Sequence, residues 1–255
     1  MRCQKSLACL STLTVALFIE LLSFSLAASQ LRAQSIKVSV IFPPTEPRGA
    51  PPTTMGGGTR RGPDRTVCFN NNPPLRALTP TNNVITTVSA NPALFWYVPK
   101  TEAKSAEFVL FDSEWNELYK TTVAVKGTPG IVKLSLPESV DLETGQEYQW
   151  KFSLICDPEN WADTRFVTGL IERTELNLEE QIKLAATREP LKQAEVYAEA
   201  EIWQETLTLL AQLRYERPND LKVNNAWNEL LTSVKLDAIA TQPLVECCRV
   251  DEWLH

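Results

Sequence analysis

A chain of 255 residues with 44% apolar and 22% charged residues has the balance of an ordinary globular protein, which argues against general disorder and against many membrane spans. Its formal net charge of −6 offers no basic field of the kind a nucleic-acid backbone demands. Nucleic acid is therefore not an expected partner.

Residues 1–27 read as an export leader. Arg2 and Lys5 give a positive start, an apolar run extends from Leu7 to about Leu26, and Ser25, Ala27, Ala28 and Ser29 form a cleavage region of small residues. Cleavage after Ala27 is expected, with Ala33 as a later alternative. A retained anchor is the competing reading, because the run approaches the ~20 residues that span a bilayer. Glu20 within it would be costly at the bilayer centre. Loss of the leader removes two cations and one carboxylate and leaves a net charge of −7. No other segment is long and apolar enough to span a membrane, so the expected location is periplasmic or extracellular.

Four cysteines then remain: Cys68, Cys156, Cys247 and Cys248. In an oxidising compartment they invite disulfides, with three pairings possible. A Cys247–Cys248 bond would close a strained ring, and Cys68–Cys156 is preferred. That bond would close a loop of roughly 90 residues and contribute about 4 kcal/mol, less any strain. Four free thiols would be expected only without export.

Residues 28–80 form a Pro/Gly-rich arm. More than half of the seventeen prolines fall between Pro43 and Pro80, beside Gly56-Gly57-Gly58, so regular secondary structure is not expected. The arm is either a flexible linker or an extended segment laid over the next domain.

Residues 81–175 carry short β-rich runs: Val84–Ser89, Ala93–Val98, Ala106–Asp112, Glu117–Val125, Ile131–Leu136, Glu147–Cys156 and Arg165–Arg173. In the sixth, Tyr148, Trp150, Phe152 and Leu154 alternate with polar residues, the period of a half-buried strand. Runs of this number and spacing suggest a β-sandwich. Leu142, Gly145 and Tyr148 have the spacing of the tyrosine corner found in immunoglobulin and fibronectin type III domains, where the hydroxyl bonds back to the backbone.

Residues 176–240 are helical in pattern. Asn177-Leu178-Glu179-Glu180 resembles a capping box. Pro190 suits a first helical turn. Leu191, Ala194 and Ala198 share a face, as do Trp203, Leu207, Leu210 and Arg214, with Pro218 ending that helix. Asn219 is placed to cap a third, with Val223, Trp227, Leu230, Leu231 and Val234 as its apolar face. Thr187 to Asp220 resembles a single tetratricopeptide unit, through Ala194, Tyr197, Trp203, Leu210 and Pro218, with Thr206 where that repeat usually has Ala. A lone unit should pack on the sandwich or on a partner. Residues 241–255 form a tail. The expected fold is α+β: an immunoglobulin/fibronectin-like sandwich followed by a small tetratricopeptide-like helical region.

The chemistry is sparse. His255, the single histidine, is the terminal residue, which disfavours Ser-His-Asp and Cys-His catalysis and histidine-bearing zinc sites. There is no Cys-x-x-Cys pair, and neither catalytic residues, metal ligands nor cofactors are expected. Gly56-Gly57-Gly58-Thr59-Arg60-Arg61 lacks the lysine of a phosphate loop, although Arg60 and Arg61 with backbone amides could hold an anion. Asp112 with Glu114, and Glu201 with Glu205, read as solvated charge rather than acid–base pairs. Of consecutive Phe95, Trp96 and Tyr97, at least one must face away from a sandwich core, and Trp115 and Trp161 lie in turn-like stretches. Trp96, Trp115 and Trp161 are thus candidate binding aromatics, with core packing or edge capping the plainer role.

Together these segments resemble a cyanobacterial family, domain of unknown function 928. The likeness runs through Phe42-Pro43-Pro44, Gly56-Gly57-Gly58-Thr59-Arg60 with Cys68, Ala77-Leu78-Thr79-Pro80 and Trp96-Tyr97-Val98-Pro99. It continues through Gly130-Ile131, Leu134-Ser135-Leu136-Pro137, Tyr148-x-Trp150, Cys156, Gly169-x-Ile171-x-Arg173 and Ile202-Trp203-Gln204-Glu205. Thr59 and Leu170 depart from the Ser and Trp expected there. The resemblance implies export in a cyanobacterium and supplies no catalytic residue. The expected role is a non-enzymatic envelope module that binds or scaffolds another envelope protein, with polysaccharide recognition through exposed tryptophans as the alternative.

Overall fold

The described residues of the computed structural model are 39–46, 55–56, 73–125, 129–156 and 164–245. Among them the strands are β1 (Met55–Gly56), β2 (Arg76–Ala77), β3 (Val84–Thr87), β4 (Ala93–Val98), β5 (Ser105–Phe111), β6 (Glu117–Ala124), β7 (Gly130–Ser135), β8 (Glu147–Ile155) and β9 (Arg165–Arg173). The helices are α1 (Leu178–Ala186), α2 (Pro190–Glu199), α3 (Trp203–Glu216), α4 (Leu221–Ser233) and α5 (Asp237–Ala240). The larger sheet runs β1-β9-β8-β5-β6, with β3 also on β9, and the smaller runs β2-β4-β7. Every pairing between these strands is antiparallel except β3 with β9. The architecture is α+β: two mostly antiparallel sheets with several helices.

Alternation in β8 does what its sequence dictates. Tyr148, Trp150, Phe152 and Leu154 are buried, while Gln149 and Lys151 keep partial access to solvent. The neighbouring strand makes room for the largest of them. Gly169 of β9 pairs with Trp150, and a Cβ at Gly169 would collide with the indole, so glycine is required by close approach. The sheets meet face to face where Trp96 of β4 stacks on Phe152 at 4.3 Å between ring centroids.

All six residues of β4 are buried, including Phe95, Trp96 and Tyr97 together. Side chains of a strand alternate between faces, so one face of β4 meets the larger sheet. Helix α3 packs against β3 and β4 from the helical side. The residue expected to face away from the sandwich core is consequently not exposed. A single buried cluster runs from Phe152 and Trp96 to Trp203 and Trp227, and the described residues belong to one compact unit.

Parts of the arm are bound to this body. Phe42 is buried with its ring edge-on to Trp203 at 5.1 Å, its N–H donates to Ser233 Oγ at 3.1 Å, and Ser39 Oγ donates to Glu229 at 2.9 Å. Residues 39–46 thus lie against α3 and α4, and the arm also supplies β1 and β2, against the expectation of no regular secondary structure there.

The helix ends follow local chemistry. Asn177 and Glu180 form the expected capping box for α1, and Pro190 opens α2. The cap of α4 is Asp220, not Asn219: Asp220 Oδ1 accepts from the N–H groups of Lys222 at 2.9 Å and Val223 at 3.4 Å. Both residue types make good caps. The choice follows the register that buries Val223, Trp227, Leu230 and Leu231.

Candidate functional site

Helix α1 has apolar residues that the body leaves uncovered. None of its nine residues is buried, and Leu178 (71% exposed) and Ile182 (60% exposed) stand one turn apart. It packs along α2. The capping box and the Lys183–Glu179 ion pair at 2.9 Å hold it helical from within. A helix this short is marginal in water on such local terms, so an apolar face left open is a surface prepared for contact.

Trp115 is the candidate aromatic that does stand in solvent, 64% exposed at the tip of the β5–β6 hairpin. Asp112 ties this tip: Oδ1 accepts from Glu114 N–H and Asn116 N–H, both at 2.9 Å, and Oδ2 accepts from Asn116 Nδ2 at 2.8 Å. These bonds, led by that of the Asn116 side chain, lower the pKa of the Asp112 carboxyl. Trp115 itself has φ 68°, the left-handed region that favours glycine, at a cost of roughly 1–2 kcal/mol for a residue with a side chain. Beside the hairpin lies a groove of about 410 Å³ lined by Asp112, Leu118, Asp141, Glu143, Glu147 and Tyr148, among others.

Trp96 is corrected as a binding candidate. It is 1% exposed, stacked on Phe152 and edge-on to Trp150 at 5.8 Å, and no ligand can reach it without opening the sheets. Cys156, partly buried, follows β8, packs against the core and is not without a partner. Cys68, Arg60, Arg61 and Trp161 lie outside the described residues, as do Cys247, Cys248 and His255. Among the described residues no three His, Cys, Asp or Glu side chains are grouped to hold a metal ion, and no helix is long and apolar enough to cross a membrane.

Glu205 is a second correction. Expected as solvated charge, it instead points from α3 into the end of β3. Its Oε1 accepts from Thr87 Oγ1 at 2.8 Å and from the N–H groups of Val88 and Ser89, each at 3.1 Å. Oε2 is shut off from solvent and has no hydrogen-bond partner among the described residues. Burial pushes the carboxyl above its ordinary range, against the lowering effect of the hydrogen bonds from Thr87, Val88 and Ser89. Glu201 is exposed and sits before the helix with φ 58°, so the two carboxylates do not share a helical face. A helical spacing rule could not locate Glu205, because its partners come from a strand more than a hundred positions earlier. Its place in Ile202-Trp203-Gln204-Glu205, quoted above for the family resemblance, was the available signal.

A family model described as Domain of Unknown Function (DUF928) matches residues 55–244, well over half of the chain. No curated protein matches it.

Proposed function

The chain belongs to the Domain of Unknown Function (DUF928) family, and from that premise we propose an exported, non-enzymatic protein of a cyanobacterial envelope that binds another envelope protein through helix α1. The observation that carries this reading is the exposed Leu178–Ile182 row on a capped helix with no buried residue. A partner offering an apolar groove or helix face of its own would bury both side chains and stabilise a helix too short to be secure alone. The two-sheet body is read as immunoglobulin-like, supported by Tyr148 Oη accepting from Glu143 N–H at 2.9 Å across the corner before β8. The α2–α3 pair is read as tetratricopeptide-like, supported by buried Ala194, Trp203 and Leu210 along their facing sides. A Cys68–Cys156 disulfide belongs to the same proposal, supported by the place of Cys156 against the core at the end of β8.

The test compares capture by the wild type and by a Leu178→Asp, Ile182→Asp variant from the native envelope, read by quantitative mass spectrometry. Both side chains are exposed, so the variant should keep its melting temperature. A protein cross-linked to residues 176–190 in the wild type and lost in the variant is the expected result. Equal capture by both, or self-association abolished by the variant, would overturn the assignment to another envelope protein.

A second reading is favoured by Trp115 alone: glycan stacking on the indole, with the carboxylates of the adjacent groove accepting from sugar hydroxyls. Envelope polysaccharide should quench fluorescence in the wild type and not in Trp115→Ala. Flat titrations across a glycan panel would remove this reading.

A further inference from the structure

A cleft of about 310 Å³ opens between the strands and the turn after α4, with Arg76, Thr79, Asn83, Thr168 and Lys235 in its lining. Its charge is one-sided. Arg76 and Lys235 line it and, among the described residues, no carboxylate does, although the whole chain carries a net charge of −6. Both cations are exposed, and among the described residues neither has an ion-pair partner.

Local structure fixes where both side chains begin. Arg76 is held in β2 opposite Tyr97. Beyond α4, Lys235 N–H donates to Thr232 O at 3.1 Å and Leu236 N–H to Leu231 O at 2.8 Å, closing the helix through a left-handed residue. That residue is Lys235, with φ 62°, where glycine or asparagine is favoured. A helix C-terminus attracts a cation in its own right, which accounts for a lysine on this turn. It does not account for an arginine on the same cleft or for a lining without carboxylates. Part of that lining is polar and held in place: Thr79 Oγ1 donates to Asn83 Oδ1 at 3.2 Å, and Asn83 Nδ2 donates to Thr168 O at 2.8 Å. Asn83 is the second left-handed residue of the cleft, at φ 62°.

We infer that this cleft is an oxyanion site for a small phosphate monoester. The Arg76 guanidinium supplies a planar fork for two phosphate oxygens, and the Lys235 ammonium supplies a mobile point charge. Ala77, Val167, Val234 and Leu236 provide apolar wall for the organic part of the ester. The volume lies near the lower end of small-molecule pockets, about 300 Å³. This site goes beyond the docking reading of α1 and shares no residue with it, so either can fail alone.

The test is calorimetric titration of the whole exported chain with inorganic phosphate, sulfate and glucose 6-phosphate, at ionic strength held constant with chloride. Saturable binding of one phosphate and one glucose 6-phosphate per chain is expected, with the sugar ester tighter. Arg76→Ala and Lys235→Ala should each weaken it about tenfold or more, with partial recovery in Arg76→Lys. Lys183→Ala, which removes an exposed cation from α1, should leave it unchanged. Sulfate matching phosphate supports the oxyanion chemistry. No saturable binding of any of the three, or affinity unchanged from the wild type in both alanine variants, would overturn the site. Glucose 6-phosphate binding no tighter than inorganic phosphate would overturn its assignment to an ester.

Discussion

Between the two sheets, Trp96, Trp150, Phe108 and Phe152 meet ring against ring. Where the helices meet the strands, Trp203 Nε1 donates to Leu78 O at 2.9 Å, Gln204 Nε2 donates to Ala93 O, and Glu205 accepts from Thr87, Val88 and Ser89. The first contact is held by area, which is non-directional and roughly proportional to the apolar surface removed from water. The second adds bonds that depend on single atoms, and one partner in them is ionisable. Substitutions that preserve shape should therefore spare the first and injure the second.

Trp96→Ala offers the most direct way to break that contrast. It empties a fully buried ring position and should cost about 4 kcal/mol in urea unfolding. Trp96→Phe should cost far less. The indole N–H has no hydrogen-bond partner among the described residues, so its removal offsets part of the lost area. If the two variants were equally damaging, the intersheet contact would depend on more than area.

Glu205→Ala should cost about 3 kcal/mol, because the N–H groups of Val88 and Ser89 and the Thr87 hydroxyl lose their acceptor. The pH dependence gives a sharper version. The folded pKa of Glu205 lies above its unfolded value, with burial as the main cause. The stability linked to that shift is complete below the unfolded value, about pH 4, and is lost as pH rises through the raised folded value. Glu205→Gln, which keeps an acceptor oxygen and cannot ionise, should flatten this decline. Unfolding curves from pH 4 to pH 8 that stay parallel for wild type and variant would show that the carboxylate is not a strained part of the seam.

Trp115→Asn carries the smallest expected effect, and its sign is opposite. Asparagine tolerates the left-handed backbone at φ 68°, and the exposed indole gives up little packing, so a gain of about 1 kcal/mol is expected. A loss of stability would mean that the ring contact with Phe111, at 5.7 Å, outweighs the backbone strain.

Much of the frame was legible in the sequence because it rests on periods and caps that act over a few residues. β4 and β9 begin and end where their β-rich runs do, and Asn177-Leu178-Glu179-Glu180 caps α1 as its spacing predicts. The candidate surfaces were less legible. Trp96 and Trp115 are both tryptophans in β-rich surroundings. Only the packing of the two sheets makes one a core ring and the other a hairpin tip.

The sequence by itself determined the sign of the charge, the order of β3 to β9 and of α1 to α4, the apolar stripes and the family resemblance. These depend on composition and on neighbours within about one helical or strand period. The tertiary structure alone decided that Glu205 turns onto the end of β3, that β4 is covered on both faces, that Phe42 docks on Trp203, and that Arg76 and Lys235 line one cleft. Each of those facts joins residues distant in the chain. A local pattern limits which face a side chain occupies, but only the folded chain brings up what covers that face.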